Sequence, residues 1–392
     1  MGLNSYKVDY KIKIAYLIVS RSYPGIVKQI EYDYQLTKKI KNLVWKNFTF
    51  LDQIEQNSHS KKLPFLFRGV FGRRLFVWIW LLKNSKDFDF VIMRHMEFDI
   101  FSIIFSWFVP NRIHIHHSNE IEELKLRRNN WKGKIASRVE KITGGIAIRN
   151  SSAICTVSKD LMHYQRKARK LSKDFPIFHF PNGIIVKNTP LLKDVINNNS
   201  VIEVGFIAAQ FHPWHGLDLL IDNCKSYIRK DIKKSLVFHL IGELDCNYLD
   251  QIKIINQSNK KIKFKVYGIL KQKEYWKIFC NCNIGIGSLA MYRNGLTDGC
   301  TLKVREMLAM GLPIFSGHKD TALPDDFPYY FSEGGNIEDI IEFSRKVAKV
   351  TRKEVRDASF KYIEKSICFN SLAKDLHKLY KKNKINSNLN KY

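Results

Sequence analysis

Short, almost wholly apolar runs alternate with helix-length polar stretches, and the alternation is carried out twice with a break between. In the first half the runs fall at 12–19 (IKIAYLIV), 88–93 (FDFVIM), 112–117 (RIHIHH) and 153–157 (AICTV). After the first of them SRSYPG punctuates the chain, and a charged helical pattern covers 26–42. Strands without a polar face need cover on both sides, so the pattern predicts parallel sheets flanked by helices. Pro181, Asn182, Gly183, Pro190 and the run NNNS concentrate turn formers over 181–200. The alternation then restarts with VIEVGFIA, a helix near 216–229, SLVFHLIG, a helix near 247–258, KFKVYGIL, a helix near 272–281, NIGIGS, a helix near 301–310 and LPIFSG. The expected architecture is α/β, two Rossmann-like doubly wound parallel-sheet domains at 1–185 and 201–365 joined by a linker at 186–200. A C-terminal helix and tail, 366–392, is expected to return to the first domain, with the Lys- and Asn-rich stretch 381–392 frayed. Two such domains place a cleft between the carboxyl ends of their sheets, where folds of this kind bind ligands.

The 392 residues are 45% apolar and 13% aromatic, enough material for two buried cores. Lysine and arginine total 65 against 37 aspartate and glutamate, a formal charge of +28. An excess of that size calls for an anionic partner or surface, and nucleic acid, anionic phospholipid and phosphorylated substrates all fit it. Part of it also reflects the general Lys, Asn and Ile bias of the chain. The seven cysteines are odd in number and scattered, as reduced thiols of a cytoplasmic protein are, and form no disulfide framework or zinc motif. Lys7, Asp9, Lys11 and Lys13 precede an apolar run too short and too late for a secretory signal. Arg68, Arg73 and Arg74 break the apolar stretch at 63–82, and Arg94, Glu97 and Asp99 break the next, so neither is expected to span a membrane. The first stretch interleaves Phe65, Phe67, Phe71, Phe76, Trp78 and Trp80 with its arginines. It suits an interfacial helix on an anionic bilayer, and it equally suits a buried helix of the first domain.

The densest chemical signal is NIGIGSLAMYRNGLTDGCTLKVREMLAMGLPIFSG at 283–317. A buried strand is expected to end at Ser288, a loop to run to Asp298 and a helix to start near Thr301. The backbone N–H groups of Gly299, Cys300, Thr301 and Leu302, with the positive end of the helix dipole, then make an anion site to which Lys303 adds a full charge. Read without a ligand, Glu306 is a solvated helix carboxylate and Lys303 a surface lysine.

This stretch resembles the GT-4 group of retaining glycosyltransferases, whose signature is a carboxylate, seven residues, then Glu, followed by a small-residue helix end and Gly-x-Pro. Asp298 and Glu306 hold that spacing here, followed by Leu308, Ala309, Gly311 and Pro313. The resemblance implies the GT-B arrangement of the two domains, with Asp298 meeting the sugar and Glu306 the ribose. This chain has Asp where the family has Glu at the first acid. VGFIAAQFHPWHG (204–216) stands where the family closes on the diphosphate, with His215 before Gly216 in place of the usual Lys. HLIGE (239–243) resembles the next strand and its glycine, Gly242, and VYGIL (266–270), with Ile269, the segment whose backbone meets the nucleobase. PNGI (181–184) resembles the interdomain junction, so the resemblance covers roughly 150–345. Pro24 and Gly25 resemble the opening loop that approaches the phosphates and acceptor, and a plain tight turn explains them as well.

In the first domain HIHHSNEIEEL (114–124) puts His114 and His116 on one strand face, with His117 and Asn119 at the strand end. No HExxH or comparable spacing supplies a metal site. The resemblance places a histidine beside the transferred sugar, where His117 fits first and His116 second; a core histidine is the other reading. No acid pair of the DxD type stands at a strand end, Asp325 and Asp326 falling in a Pro-flanked loop. The implied activity is metal-independent, retaining transfer from a nucleotide diphosphate sugar to a saccharide or polyprenol-linked saccharide, with no cofactor beyond that donor. The implied setting is cell-surface polysaccharide assembly such as capsule or O-antigen, in the cytoplasm at the inner face of the membrane. Arg68, Arg73, Arg74, Trp78 and Trp80 are the residues expected at acceptor and membrane. A basic nucleic-acid-binding protein is the non-enzyme alternative, though the chain shows no recognisable binding module. An epimerase or phosphorylase of the same fold is the alternative enzyme.

Overall fold

The first apolar run forms β1 (Ile12–Ser20), buried without a break from Ile14 to Ile18. In the computed structural model, which describes residues 11–22, 24–40, 43–54, 59–127, 130–195, 200–229, 234–258 and 260–389, this strand sits inside a seven-stranded sheet. Its companions are β2 (Leu43–Leu51), β3 (Lys61–Lys62), β4 (Phe90–Arg94), β5 (Arg112–His116), β6 (Ala153–Thr156) and β7 (Ile177–His179), in the order β3-β2-β1-β4-β5-β6-β7. Every pairing is parallel. Parallel neighbours need crossovers, and here these use α1 (Pro24–Thr37), α2 (Val70–Asn84), α3 (Ser102–Phe105), α4 (Glu120–Arg127), α5 (Trp131–Arg149) and α6 (Lys159–Ala168).

The chain enters a second sheet at β8 (Val201–Gln210), followed by β9 (Ser235–Glu243), β10 (Ile262–Val266), β11 (Ile284–Ile286), β12 (Asp298–Gly299), β13 (Ile314–Phe315), β14 (Lys319–Asp320) and β15 (Tyr330–Phe331). Six of these form a parallel sheet ordered β10-β9-β8-β11-β13-β15, while β12 and β14 pair apart from it. The helices of this half are α7 (Leu217–Ile228), α8 (Cys246–Ser258), α9 (Gln272–Phe279), α10 (Leu302–Ala309), α11 (Ile337–Lys346) and α12 (Arg352–Ile363). A last helix, α13 (Lys365–Leu389), goes back to the first sheet. It packs on α1 and β7, its Phe369, Leu372 and Leu376 join the core of Ile14 and Tyr16, and Lys365 pairs with buried Asp33. The tail expected to fray is therefore helical as far as Leu389, and 390–392 lie outside the described residues.

The apolar face of α2 is turned inward. Trp78 is 1% exposed and donates from Nε1 to Asp99 at 2.7 Å, and Trp80 is buried against Phe48 at 4.7 Å between rings. This corrects the expectation of membrane anchors at these positions: Val77, Trp78, Trp80 and Leu81 cover the β1 and β4 face of the sheet and have nothing left to offer a bilayer. The three arginines likewise hold the chain locally. Arg68 donates to the carbonyl of Leu63 at 3.2 Å, Arg73 to that of Arg68 at 2.5 Å, and Arg74 to those of Val70 and Glu97. No helix among the described residues is long and apolar enough to cross a membrane.

Candidate functional site

In each sheet the strand order reverses beside the first strand, with β1 between β2 and β4 and β8 between β9 and β11. At such a reversal the helices leave in opposite directions and a crevice opens outside the carboxyl ends of the strands. In the second half two loops flank it. The β8 loop ends at Gly216, which has φ 74° and where a Cβ would come within 2.8 Å of Leu289 Cβ. Glycine therefore lets this loop lie on the one that follows β11. Leu289 N then donates to His215 O at 2.9 Å and fixes the histidine. His215 Nδ1 accepts from His212 N at 2.9 Å, so the neutral ring carries its proton on Nε2. Burial, followed by the charges of Lys303 and His212, holds its pKa well below the ordinary value. His215 is a neutral hydrogen-bond donor.

Helix α10 starts beside it, with Thr301 as N-cap. The Thr301 hydroxyl caps nothing and is buried without a partner. Lys303 donates from Nζ to Gly287 O at 2.8 Å and lies 5.0 Å over the Phe206 ring, with no carboxylate paired to it among the described residues. The residue keeps some solvent exposure, but its ammonium is enclosed and burial brings its pKa down to about 7. A cation held by one carbonyl and a ring is short of an anion. His318 lies close by. Its Nδ1 is 2.9 Å from Ser288 O and from Ser316 Oγ, and its Nε2 is buried without a partner.

Two of the four residues expected at this helix start lie ahead of it. Gly299 is in β12 and pairs with β14. Cys300 is buried at the junction of the halves, its Sγ accepting from Asn182 N at 3.1 Å and its carbonyl from Asn182 Nδ2 at 2.6 Å. The helix start proper is Thr301, Leu302 and Lys303, with Leu302 packed against the core. Glu306, one turn on, accepts three hydrogen bonds on Oε1, from Gln272 Nε2 at 2.7 Å, Tyr275 Oη at 2.8 Å and Trp276 Nε1 at 3.0 Å, and Lys28 Nζ forms an ion pair with the same oxygen at 2.9 Å. Its Oε2 has no hydrogen-bond partner among the described residues. Burial alone would raise its pKa; the Lys28 charge and the hydrogen bonds from Gln272, Lys28 and Tyr275 outweigh it and hold the carboxyl below its ordinary value.

No family model matches the sequence, and no curated protein does. Solved structures do match. The chain superposes on sucrose-phosphate synthase from Thermosynechococcus elongatus with a TM-score of 0.61 at 13% identity, over 95% of this chain and 99% of that one. HepE of Anabaena in complex with UDP-glucose gives 0.59 at 13%, over 94% and 99%. An alpha-glucosyltransferase in complex with UDP and a 13-mer DNA gives 0.58 at 14%, over 94% and 100%. At these identities the likeness is one of fold, and it runs the length of both chains. The fold is GT-B.

In the first half of this GT-B fold, His117 follows β5 at the carboxyl edge of the sheet. Its Nε2 is shielded and unpartnered, and burial, followed by the charges of Arg94 and Lys365, holds it neutral. His116, the runner-up, is taken up elsewhere: fully buried, it meets Glu120 at 2.9 Å and Gln165 at 3.1 Å and stacks on His95. Gly25 lies in the first turn of α1, so the opening loop is only the short connection from Ser20 to Pro24. Gly242 has φ 132°, a Cβ there would stand 1.7 Å from Ala208 O, and its N–H donates to Gly268 O at 2.7 Å. Ile269 follows on this connection and is exposed.

Asp298 sits between the halves. Its Oδ2 accepts from Asp160 N at 3.0 Å, at the start of α6, and its Oδ1 is buried without a partner. Asp160 answers by accepting from Thr297 N at 2.7 Å and Asp298 N at 3.0 Å. The structure thus brings His215, Thr301, Lys303, His318 and Glu306 around the second switch point. It leaves Arg68, Arg73, Arg74, Trp78 and Trp80 on α2 and the loop before it. Sequence reasoning passed over Lys28, Asp160, His318 and the α9 trio. Only the trio carried a signal, since Gln272, Tyr275 and Trp276 stand at i, i+3 and i+4 and so share one helix face.

Proposed function

We propose that this chain is a retaining, GT-4-like hexosyltransferase that moves a sugar from a nucleoside diphosphate donor to a saccharide or lipid-linked saccharide. The observation that carries the reading is the enclosed, carboxylate-free ammonium of Lys303 beside the neutral Nε2–H donor of His215 at the start of α10. An anion with two or more phosphate oxygens answers both groups and the helix dipole at once. In the step proposed, the bond from the anomeric carbon to the β-phosphate oxygen breaks and the electron pair leaves with the phosphate. Lys303 and His215 meet the charge that develops, which typically stabilises such a transition state by ~3 kcal/mol per donor. The acceptor hydroxyl attacks on the face the diphosphate vacates, its proton passes to the departing phosphate oxygen, and configuration is retained. Glu306 Oε2 takes the ribose hydroxyls, Ile269 lies by the base, and Asp298 Oδ1 with His117 Nε2 takes sugar hydroxyls. The charge is met by protein groups, so no metal and no cofactor is assigned.

HepE, with its UDP-glucose, supports a nucleotide-sugar donor. The setting proposed is the cytoplasmic face of the cell membrane, in assembly of a surface polysaccharide. A DNA acceptor is the second reading, because one matched structure holds UDP and DNA together and this chain carries +28. Thermal shift against UDP, GDP, CDP and ADP tests the class and names the base, since only a nucleotide that binds the folded state raises the melting point. No shift with any of the four would sink the reading. Product analysis with the donor then separates transfer from epimerisation or phosphorolysis.

A further inference from the structure

Several of the apolar side chains left exposed on the first domain fall on α3, the turn after it and α5. Trp107 and Phe108, just after α3, are 68% and 66% exposed, Ile103 and Ile104 on α3 join them, and Trp131 and Ile142 on α5 are 66% and 62% exposed. Phe65 and Leu66, just before α2, and Phe71 in its first turn are exposed as well. These elements are pinned to one another. Ser102 Oγ donates to Thr143 O at 3.1 Å, Asn150 Nδ2 to Ser106 Oγ at 2.9 Å, and Trp78 and Phe71 touch Phe105 and Phe98 across from α2. Single exposed apolar residues are ordinary, but a belt of them over three packed helices marks a contact surface.

The exposed charge on these three helices is of one sign. Neither α2 nor α3 has a carboxylate, and the one on α5, Glu140, is buried between His95 and Arg169. Lys132, Lys134, Arg138 and Lys141 stand exposed on α5 among the apolar residues, and Lys83 on α2. Apolar bodies ringed by cations, with no exposed carboxylate on these helices, match an anionic lipid surface: the aromatics enter the headgroup boundary and the cations meet phosphate. We propose that the α2–α3–α5 face docks the protein on an anionic bilayer.

The test is co-flotation of the full chain with vesicles of phosphatidylcholine alone and of equal parts phosphatidylcholine and phosphatidylglycerol. The parent is expected to float with the second and not with the first. Lys132→Gln/Arg138→Gln/Lys141→Gln is expected to weaken partition by roughly a hundredfold, and Ile104→Ser/Trp107→Ser/Phe108→Ser by roughly tenfold or more. Both variants are expected to keep the parent's melting point and its shift with nucleotide, which shows that they fold. A parent indifferent to phosphatidylglycerol, or variants that float as the parent does, would overturn the proposal. So would an apolar variant that turns a lipid-free dimer into monomers, since the face would then join two copies. A charge variant that loses duplex DNA but keeps the vesicles would overturn it as well. Vesicle binding with no response to any nucleotide would sink the proposed function and leave this surface standing.

Discussion

Lys303 holds its charge at a cost for as long as no anion is bound. Its folded pKa of about 7 lies below the ordinary 10.5, so between these values the unfolded chain binds the proton and the folded one does not. The lysine therefore opposes folding fully below about pH 7, and the opposition fades as pH rises toward 10.5. A bound diphosphate reverses the balance by restoring the charged form. Nucleotide binding at about pH 8 is thus expected to take up close to one proton, read in calorimetry as a binding heat that changes with the ionisation heat of the buffer. A heat independent of buffer would show that the ammonium is not at the phosphates. Lys303→Ala is expected to lower kcat/KM by roughly a hundredfold or more, about 3 kcal/mol of lost charge stabilisation, with the melting point held or raised. Glu306→Ala is expected to lose most kcat/KM too, chiefly through a raised donor KM, because its proposed role is to hold the ribose.

At the scale of elements, backbone geometry separates glycines that look alike in the sequence. Gly242→Ala has to accommodate a Cβ 1.7 Å from Ala208 O at φ 132°, whereas Gly268, at φ 67°, has nothing within 4 Å. The first substitution is expected to cost about 3 kcal/mol or more, roughly 6–12 °C of melting point. The second is expected to cost only about 1 kcal/mol, and equal losses in the two would show that the connection after β9 relaxes. The strands were legible where they are apolar throughout. The runs read at 201–208 and 235–242 are β8 and β9 within two residues, and the helix read at 301–310 is α10 within one. β2 was missed because Lys46, Asn47 and Thr49 interrupt LVWKNFTFL, and burial there is only intermittent. α2 was ambiguous because its tryptophans follow its arginines within two turns. Composition cannot say which stripe the sheet covers, and only the packing against β1 and β4 settles it. In the candidate site, the start of α10 and Lys303 follow from the local pattern, whereas Glu306 comes with the family resemblance. Lys28 and Asp160 come from the other half of the chain, where no periodicity points to their partners.

At the scale of the whole molecule, the candidate site is completed across the gap between the halves. Lys28 on α1 reaches Glu306 on α10 at 2.9 Å, Asn119 donates to Asn294 O at 3.0 Å, and Asn182 holds Cys300. Lys28→Met is expected to move the acidic limb of the kcat/KM profile to higher pH, because the charge that offsets burial at Glu306 is gone. The tie between α6 and β12 makes a sharper claim. Asp160 accepts from the successive backbone amides of Thr297 and Asp298, and Asp298 accepts from Asp160 N in return, so the first domain sets where the Asp298 carboxylate lies. If Asp298 Oδ1 meets the sugar while Lys303 and Glu306 hold the nucleotide, Asp160→Ala is expected to divide the two functions. UDP affinity by calorimetry should stay within about twofold of the parent, whereas kcat should fall by roughly tenfold to a hundredfold, since a misplacement of about 1 Å at a reacting centre costs that much. Asp160→Asn keeps an acceptor oxygen for the two amides and is expected to recover most of the loss. A fall in UDP affinity parallel to kcat would instead mean that the tie merely holds the halves together and that Asp298 has no separate part in placing the sugar.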